Sequence, residues 1–110
     1  MSANVERTFA SIIGKVQLFH MTFDQIMTEI SHICRDQGVA GLYLFGSYAT
    51  GTYTDTSDID IIVKGCTDMG ALRERLSSIR TLKKIDVFDY DAITNKHLKE
   101  AIDRDGLQIY

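Results

Sequence analysis

The chain of 110 residues is long enough for one domain with a single hydrophobic core, and we therefore treat residues 1–110 as one domain. Its composition of 45% hydrophobic and 25% charged residues is ordinary for a globular protein, and the net charge of −3 argues against broad, non-specific nucleic-acid binding. Its apolar runs are too short to span a membrane and its N-terminus lacks a signal-peptide pattern, so we expect a cytoplasmic protein with no membrane contact.

The first third of the chain carries two amphipathic patterns that predict helices. In residues 1–20, apolar side chains recur at helical spacing, which predicts an N-terminal helical extension that packs on the core or forms an interface. Thr22 is a suitable N-cap for a second helix to about Gln37, and Gly38 is a helix-stopping glycine. The apolar stripes are formed by Val5, Phe9, Ile12, Ile13, Val16 and Phe19, and by Ile26, Met27, Ile30, Ile33 and Cys34.

The rest of the chain alternates between short strands and helices. This pattern predicts an α/β (α+β) fold, with a small mixed sheet of three to four strands covered by helices. Thr94 is the predicted N-cap of the last helix, which Gly106 ends. The helix between the second and third strands makes them parallel or mixed neighbours. The predicted strands are Leu42–Phe45, Ile59–Lys64, Ile85–Tyr90 and the edge segment Leu107–Tyr110, and the connecting helix carries Met69, Leu72, Leu76 and Ile79.

Neither the cysteines nor the histidines are spaced like metal ligands. Cys34 and Cys66 lie 32 residues apart without a CxxC motif, so we predict a buried free thiol at each position. The histidines are predicted to lie at the surface or at helix edges, and they are His20, His32 and His97.

The most informative stretch is Asp58-Ile59-Asp60, where two carboxylates open an apolar strand. Residues two apart on a strand point to the same face, so Asp58 and Asp60 are expected side by side while Ile59 enters the core. Two like charges held this close repel, so one takes up a proton or a cation sits between them. Carboxylate oxygens suit Mg²⁺ or Mn²⁺, and a metal held in this way commonly meets substrate phosphates.

A third carboxylate from the next strand would complete a two-metal site. Asp86 is the preferred candidate because its apolar neighbours suit the middle of a sheet. Asp89 and Asp91 have the opposite parity along that strand and resemble strand-end and turn residues. We therefore predict that Asp58, Asp60 and Asp86 are the metal ligands and the catalytic residues.

Gly46-Ser47 ends the strand that precedes the aspartates and is suited to contact an anion. A glycine at a strand end lets the backbone approach a ligand, and a serine leading into a short helical turn offers its hydroxyl and nearby N–H groups. The segment lacks both GxxxxGK[ST] and GxGxxG, so it is neither a Walker P-loop nor a dinucleotide fingerprint. Alone, such motifs are more often an ordinary turn and a solvated strand edge, but their combination favours a functional site.

The combined motif resembles a known superfamily. Gly46-Ser47, ten further residues and then Asp58-Ile59-Asp60 form the GS-x10-DxD pattern of nucleotidyltransferases related to DNA polymerase β. The stretches FGSYATGTYTDTSDIDIIV, KKIDVFDYDAI and LKEAIDRDGLQIY are similar to the minimal nucleotidyltransferase (MNT) family, and the likeness covers roughly Leu42 to Tyr110. The resemblance implies the nucleotidyltransferase fold.

The resemblance also implies a role for each matched residue. In that family the GS serine and its backbone hold the β- and γ-phosphates of a nucleoside triphosphate, a role that falls on Gly46 and Ser47. The DxD aspartates bind two Mg²⁺ ions, and the third aspartate binds the catalytic ion and helps activate the attacking hydroxyl. These roles fall on Asp58, Asp60 and Asp86. The implied reaction transfers a nucleotide, here from ATP, and releases pyrophosphate.

The short chain leaves little surface for an acceptor, so a partner or a homo- or hetero-oligomer is expected to supply it. MNT proteins typically pair with an all-helical HEPN toxin, and the MNT antitoxin can transfer AMP to a tyrosine of that toxin. The resemblance therefore implies a protein adenylyltransferase that acts as the antitoxin of a HEPN/MNT pair. Three alternatives stay open: a transferase with a small-molecule acceptor, a non-catalytic antitoxin that inhibits by binding, and a structural domain with solvated aspartates.

Overall fold

Four helices and four strands make up residues 21–110, the part of the chain that this computed structural model describes. The predicted N-terminal extension in residues 1–20 lies outside the described residues. The elements are α1 (Phe23–Asp36), β1 (Gly41–Phe45), α2 (Gly46–Thr50), β2 (Ile59–Lys64), α3 (Met69–Ser77), β3 (Ile85–Asp89), a 3-10 turn (Tyr90–Ala92), α4 (Lys96–Asp105) and β4 (Leu107–Gln108). None of the helices within residues 21–110 is long and apolar enough to cross a bilayer.

The strands form one mixed sheet in the order β3-β2-β1-β4. β1 pairs antiparallel with β2 and with β4, whereas β2 and β3 are parallel and joined through α3. The prediction of a small mixed sheet in which the second and third strands are parallel or mixed neighbours is therefore confirmed. β3 is an edge strand, however, so the expectation that Asp86 lies in the middle of the sheet is wrong.

The main core lies on one face of this sheet. Alternate residues of β2 point into it, and Ile59, Ile61 and Val63 are fully buried there. Hydrophobic side chains of α1 and α3 cover the same face, which explains the apolar stripes of these two helices. The intervening residues of β2, Asp60 and Ile62, point to the opposite face. β2 therefore contributes to the core on one face of the sheet and to the candidate site on the other.

The boundaries of α1 follow from its capping residues. The Thr22 hydroxyl accepts a hydrogen bond from the Gln25 N–H at 3.1 Å, and the Gln25 side chain accepts one from the Thr22 N–H at 2.9 Å. This reciprocal capping box satisfies two N–H groups that the first helical turn leaves without partners. Gly38 follows the helix at φ +73°, a left-handed conformation that favours glycine. Both predicted ends of the helix are confirmed.

Three predicted boundaries in the C-terminal part were wrong. Asn95, not Thr94, caps α4, because its side chain accepts a hydrogen bond from the Leu98 N–H at 3.1 Å. β3 ends at Asp89 because that carboxylate accepts the Asp91 N–H at 3.1 Å and starts a 3-10 turn. The last strand is limited to Leu107–Gln108.

The prediction of a buried free thiol at both cysteines holds for one of them. Cys34 is a buried free thiol, whereas Cys66 is a free thiol that is only half-buried.

Candidate active site

The register of β2 brings two of the predicted carboxylates together. Asp60 lies opposite Asp86 in the parallel pair with β3, and opposite Phe45 in the antiparallel pair with β1. Phe45 is the last residue before Gly46, so the same register also places Asp60 at the start of the glycine–serine turn. Asp58 is exposed and lies one residue before the first residue of β2, which leaves it outside the strand ladder.

The glycine–serine turn is in direct contact with Asp60. Gly46 adopts φ +68°, and a Cβ atom at this position would lie 2.5 Å from Oδ2 of Asp60. Only a glycine therefore allows both this backbone conformation and this approach. Ser47 follows on the short helix α2, and Gly51 ends that helix at φ +79°. Gly46-Ser47 and Asp58-Ile59-Asp60 are separated by ten residues in the sequence, and this contact brings the two motifs together in the fold.

The electrostatics of the site are those of an acidic cluster. Partial burial raises the pKa of Asp60, and the charges of Asp86 and Asp58 and a hydrogen bond to Asp86 raise it further. Lys84 acts in the opposite direction, and its Nζ lies 3.5 Å from Oδ1 of Asp86 in an ion pair. The sequence pattern did not identify Lys84 as a site residue; its position two residues before Asp86 was the one available signal.

The chemistry of this donor set fits a hard divalent cation. Two carboxylates on adjacent strands and a third in the loop before β2 offer oxygen ligands, and the repulsion that raises the pKa of Asp60 is relieved when a cation binds between them. Within residues 21–110, no three histidine, cysteine, aspartate or glutamate side chains already stand in an arrangement that would hold a metal ion. Asp60 and Asp86 form the close pair, and Asp58 has to complete the set from the loop.

The aromatic residues near the turn form a ladder. Phe23, Tyr48 and Tyr53 stack in sequence, with ring centroids 4.5 Å apart in each pair and interplanar angles of 4° and 9°. Tyr48 is thus held between two rings, which anchors α2 to the first turn of α1. Tyr53 ends the ladder and is 54% exposed.

The hydroxyl groups of the loop between α2 and β2 mainly bond to one another. The Thr54 N–H donates to Oγ of Ser57 at 2.8 Å, and the hydroxyls of Thr54 and Thr56 lie 3.2 Å apart. The hydroxyls of Thr50 and Thr52 lie 3.0 Å apart. These bonds are typical of turn-forming residues and fix the shape of the loop that leads to the aspartates.

Comparison with known proteins assigns the chain to a family. Residues 28–110 match the family model described as Polymerase beta, Nucleotidyltransferase. Two proteins of Methanocaldococcus jannaschii, both provisionally named protein adenylyltransferases, are each 34% identical over 92 residues. These alignments cover 76% and 77% of this chain and 98% and 92% of the relatives. The chain therefore belongs to the polymerase beta nucleotidyltransferase family.

Solved structures agree with this assignment. A chain of a toxin–antitoxin crystal structure with AMP-PNP superimposes with a TM-score of 0.63 at 28% identity, covering 76% of this chain and 71% of that chain. A variant of the toxin–antitoxin MntA-HpeT gives a TM-score of 0.60 at the same identity and coverage. The predicted nucleotidyltransferase fold and enzyme class are thus confirmed, and the chain is a nucleotidyltransferase.

Proposed function

We propose that the chain is a Mg²⁺-dependent enzyme that transfers AMP from ATP to a hydroxyl group of a protein. The observation that carries this proposal is the register pair of Asp60 and Asp86 against Gly46, which sets an acidic pair beside a close-approach turn. An acidic pair repels a triphosphate unless a cation joins them, and Mg²⁺ binds carboxylate and phosphate oxygens together. The relatives named as protein adenylyltransferases support a protein acceptor, and the neighbour with AMP-PNP supports an adenine nucleotide.

The residues of the chain divide the work between substrate and ion. Gly46 and Ser47 would hold the β- and γ-phosphates through backbone N–H groups and the serine hydroxyl. Asp58, Asp60 and Asp86 would hold two Mg²⁺ ions, which when bound neutralise the triphosphate and favour deprotonation of the attacking hydroxyl.

The transfer itself is an in-line displacement. The acceptor oxygen attacks the α-phosphorus, the bond from that phosphorus to the oxygen bridging to the β-phosphate breaks, and pyrophosphate leaves with the electron pair. Asp86 orients the acceptor hydroxyl and takes up its proton. The side chain of Asp86 is 29% exposed at the open edge of the sheet, so an acceptor can reach it from solvent.

We further propose that the acceptor belongs to a helical HEPN-type toxin and that the chain is its antitoxin. The similarity to chains of toxin–antitoxin structures supports a toxin partner. The half-buried Asp86 on the edge strand β3 is open to a hydroxyl that a partner protein carries.

A labelling experiment in native lysate tests the proposal. The wild-type chain and the Asp58→Ala/Asp60→Ala variant are incubated with Mg²⁺ and with ATP labelled at either the α- or the γ-phosphate. We expect a protein of the lysate to gain label from α-labelled ATP alone, and to gain none with the variant. Label from γ-labelled ATP would show phosphoryl transfer and contradict the proposed reaction.

Two controls make the result specific. The Glu29→Ala/Glu74→Ala variant removes the same charge from exposed positions of α1 and α3 and is expected to label the same protein as the wild type. If the double aspartate variant still neutralises the labelled partner in a growth assay, inhibition by binding becomes the better account of its role.

A further inference from the structure

Both peptide groups that flank Asp58 are held by the segment that leads into β3. On the C-terminal side, the Ile59 N–H donates to the carbonyl oxygen of Lys84 at 2.9 Å. On the N-terminal side, the carbonyl oxygen of Ser57 accepts a hydrogen bond from Nζ of Lys83 at 3.4 Å. The same ammonium donates to the carbonyl oxygen of Asp55 at 2.9 Å, so Lys83 holds the loop at two points.

These contacts occur where the strand ladder can no longer fix the chain. The parallel pairing of β2 with β3 begins at Ile59 opposite Ile85, and Asp58 lies just outside it. The position of the Asp58 carboxylate relative to Asp86 therefore depends on the loop before β2. In that loop Lys83 replaces the missing ladder bonds with charge-assisted hydrogen bonds to carbonyl groups, which are stronger than neutral ones.

Lys83 has two further contacts besides those with the loop carbonyl groups. Its backbone N–H donates to Oγ1 of Thr81 at 3.1 Å, and its ammonium lies 5.5 Å from the ring centroid of Tyr48. Among the described residues Lys83 takes part in no ion pair, so its bonds go to the loop rather than to a neighbouring carboxylate. Lys83 is thus bonded to Thr81 in the segment before β3 and to the loop, and its ammonium also lies near the ring of Tyr48 on α2.

Lys83 also borders two open clefts. One of about 510 Å³ is bordered by Asp58 and Leu82, and one of about 630 Å³ is bordered by Asp86 and Phe88. Lys83 and Thr81 line both clefts. Loss of the Lys83 side chain would therefore alter both the cleft that Asp58 lines and the cleft that Asp86 lines.

We propose that Lys83 is a positioning residue that fixes Asp58 relative to Asp86 through the carbonyl groups of Asp55 and Ser57. This inference rests on the proposed function, because it takes Asp58 as a metal ligand. Lys83 contacts neither substrate nor ion in this role, and it acts by limiting the positions that the Asp58 carboxylate can adopt.

The test compares Lys83→Met, which keeps an unbranched side chain without the ammonium, with Lys83→Arg and with Lys96→Met. Lys96 has an 85% exposed side chain on α4 and serves as the matched control. Amide hydrogen exchange reports the loop, and Mn²⁺ binding followed by electron paramagnetic resonance reports the carboxylates. AMP transfer is measured in parallel at saturating ATP and across ATP concentrations.

We expect Lys83→Met to speed amide exchange of Ser57 and Ile59, whose N–H groups donate to the carbonyl oxygens of Thr54 and Lys84, about tenfold or more. Mn²⁺ binding should weaken by a similar factor, as loss of a charge-assisted bond implies. kcat should fall more than the KM for ATP rises, because the phosphate turn is left intact. Lys83→Arg should recover part of both losses since guanidinium can donate to both carbonyls, and Lys96→Met should match the wild type.

Other outcomes would overturn the proposal. Unchanged exchange in Lys83→Met would show that Lys83 does not hold the loop, and unchanged Mn²⁺ binding despite faster exchange would show that the loop does not position Asp58. A wild-type chain that binds no Mn²⁺ would refute both the metal site and this role. A wild-type chain that binds Mn²⁺ but transfers no AMP would refute the proposed reaction alone, and the exchange and binding results would still decide the role of Lys83.

Discussion

Replacing Gly46 by alanine provides a direct test of the contact between the phosphate turn and the acidic pair. A Cβ atom at position 46 would lie 2.5 Å from Oδ2 of Asp60, whereas real Cβ contacts essentially never fall below 3.0 Å, so the carboxylate has to move by at least about 0.5 Å. The clashing atom is the end of a side chain that can rotate away. The displacement should therefore lower activity much more than it lowers stability.

The expected magnitudes follow from two separate costs. An alanine in the left-handed conformation of Gly46 should lower the free energy of unfolding by about 1–2 kcal/mol, and the melting temperature by roughly 5–15 °C. A misplacement of about 1 Å at a reacting centre can lower the rate about 100-fold, so a shift of about half that distance should lower kcat by roughly 10- to 100-fold. Thermal unfolding and AMP transfer at a temperature where all variants are folded measure the two costs.

Gly38→Ala is the matched control. Gly38 has φ +73°, close to the φ +68° of Gly46, but a Cβ atom there would have no neighbour within 4 Å. Both variants should lose similar stability, and Gly38→Ala should keep nearly full activity. If the two variants retain equal activity, or if Gly46→Ala unfolds far more easily than Gly38→Ala, the contact with Asp60 does not have the role described above.

Three further outcomes are expected. Asp86→Asn should lower AMP transfer at least about 100-fold. Asp89→Asn keeps an oxygen that can cap the 3-10 turn and should lower AMP transfer only a few-fold, so similar losses in the two variants would contradict the choice of third ligand. Burial raises the pKa of the Cys34 thiol from 9.0 to about 11, so the contribution of this thiol to stability should be constant from about pH 7 to pH 9 and be lost as the pH rises through 11, because the unfolded chain then binds fewer protons. An unfolding free energy that stays flat from pH 9 to 11, or rapid iodoacetamide modification of Cys34 in the folded chain at about pH 8, would oppose this. Asn95→Ala should cost about 1 kcal/mol in chemical denaturation, and an effect below about 0.3 kcal/mol would argue against the cap.

The parts of the fold that the sequence predicts best are those with strong periodic patterns. The alternation of side chains in β2 predicts that Ile59, Ile61 and Val63 point into the core and that Asp60 points away from it. A shift of the pairing by one residue would bury the charge of Asp60. Asp86 was preferred over Asp89 because its neighbours suit the middle of a sheet, and that reason was wrong because β3 is an edge strand. The register nevertheless places Asp86 opposite Asp60 and Asp89 opposite Val63. The roles assigned to these carboxylates remain predictions until the substitutions above are measured.

Features that depend on contacts distant in sequence could not be predicted. Lys83 meets the loop carbonyl of Asp55 across 28 residues, and no local pattern indicates where a long flexible side chain will end. The stack of Phe23 on Tyr48 likewise joins two elements that only the folded chain brings together. Thr94 and the adjacent Asn95 are both residue types that cap helix N-termini, and Asn is at least as good a cap as Thr. N-cap preference alone therefore could not show at which of the two residues the helix begins.

The placement of core and carboxylate on opposite faces of one strand has a consequence for folding fidelity. A one-residue error in the pairing of β2 would turn Asp60 towards α1 and α3 and would move Ile59, Ile61 and Val63 out of the main core to the face that carries the candidate site. Burying three such side chains contributes roughly 5–9 kcal/mol, which is comparable to the whole stability of a small domain. A misregistered chain would therefore be unfolded rather than folded and inactive. Burial of the same apolar side chains that stabilises the domain therefore favours the register in which Asp60 lies opposite Asp86. Folded molecules of this chain should accordingly have the acidic pair aligned.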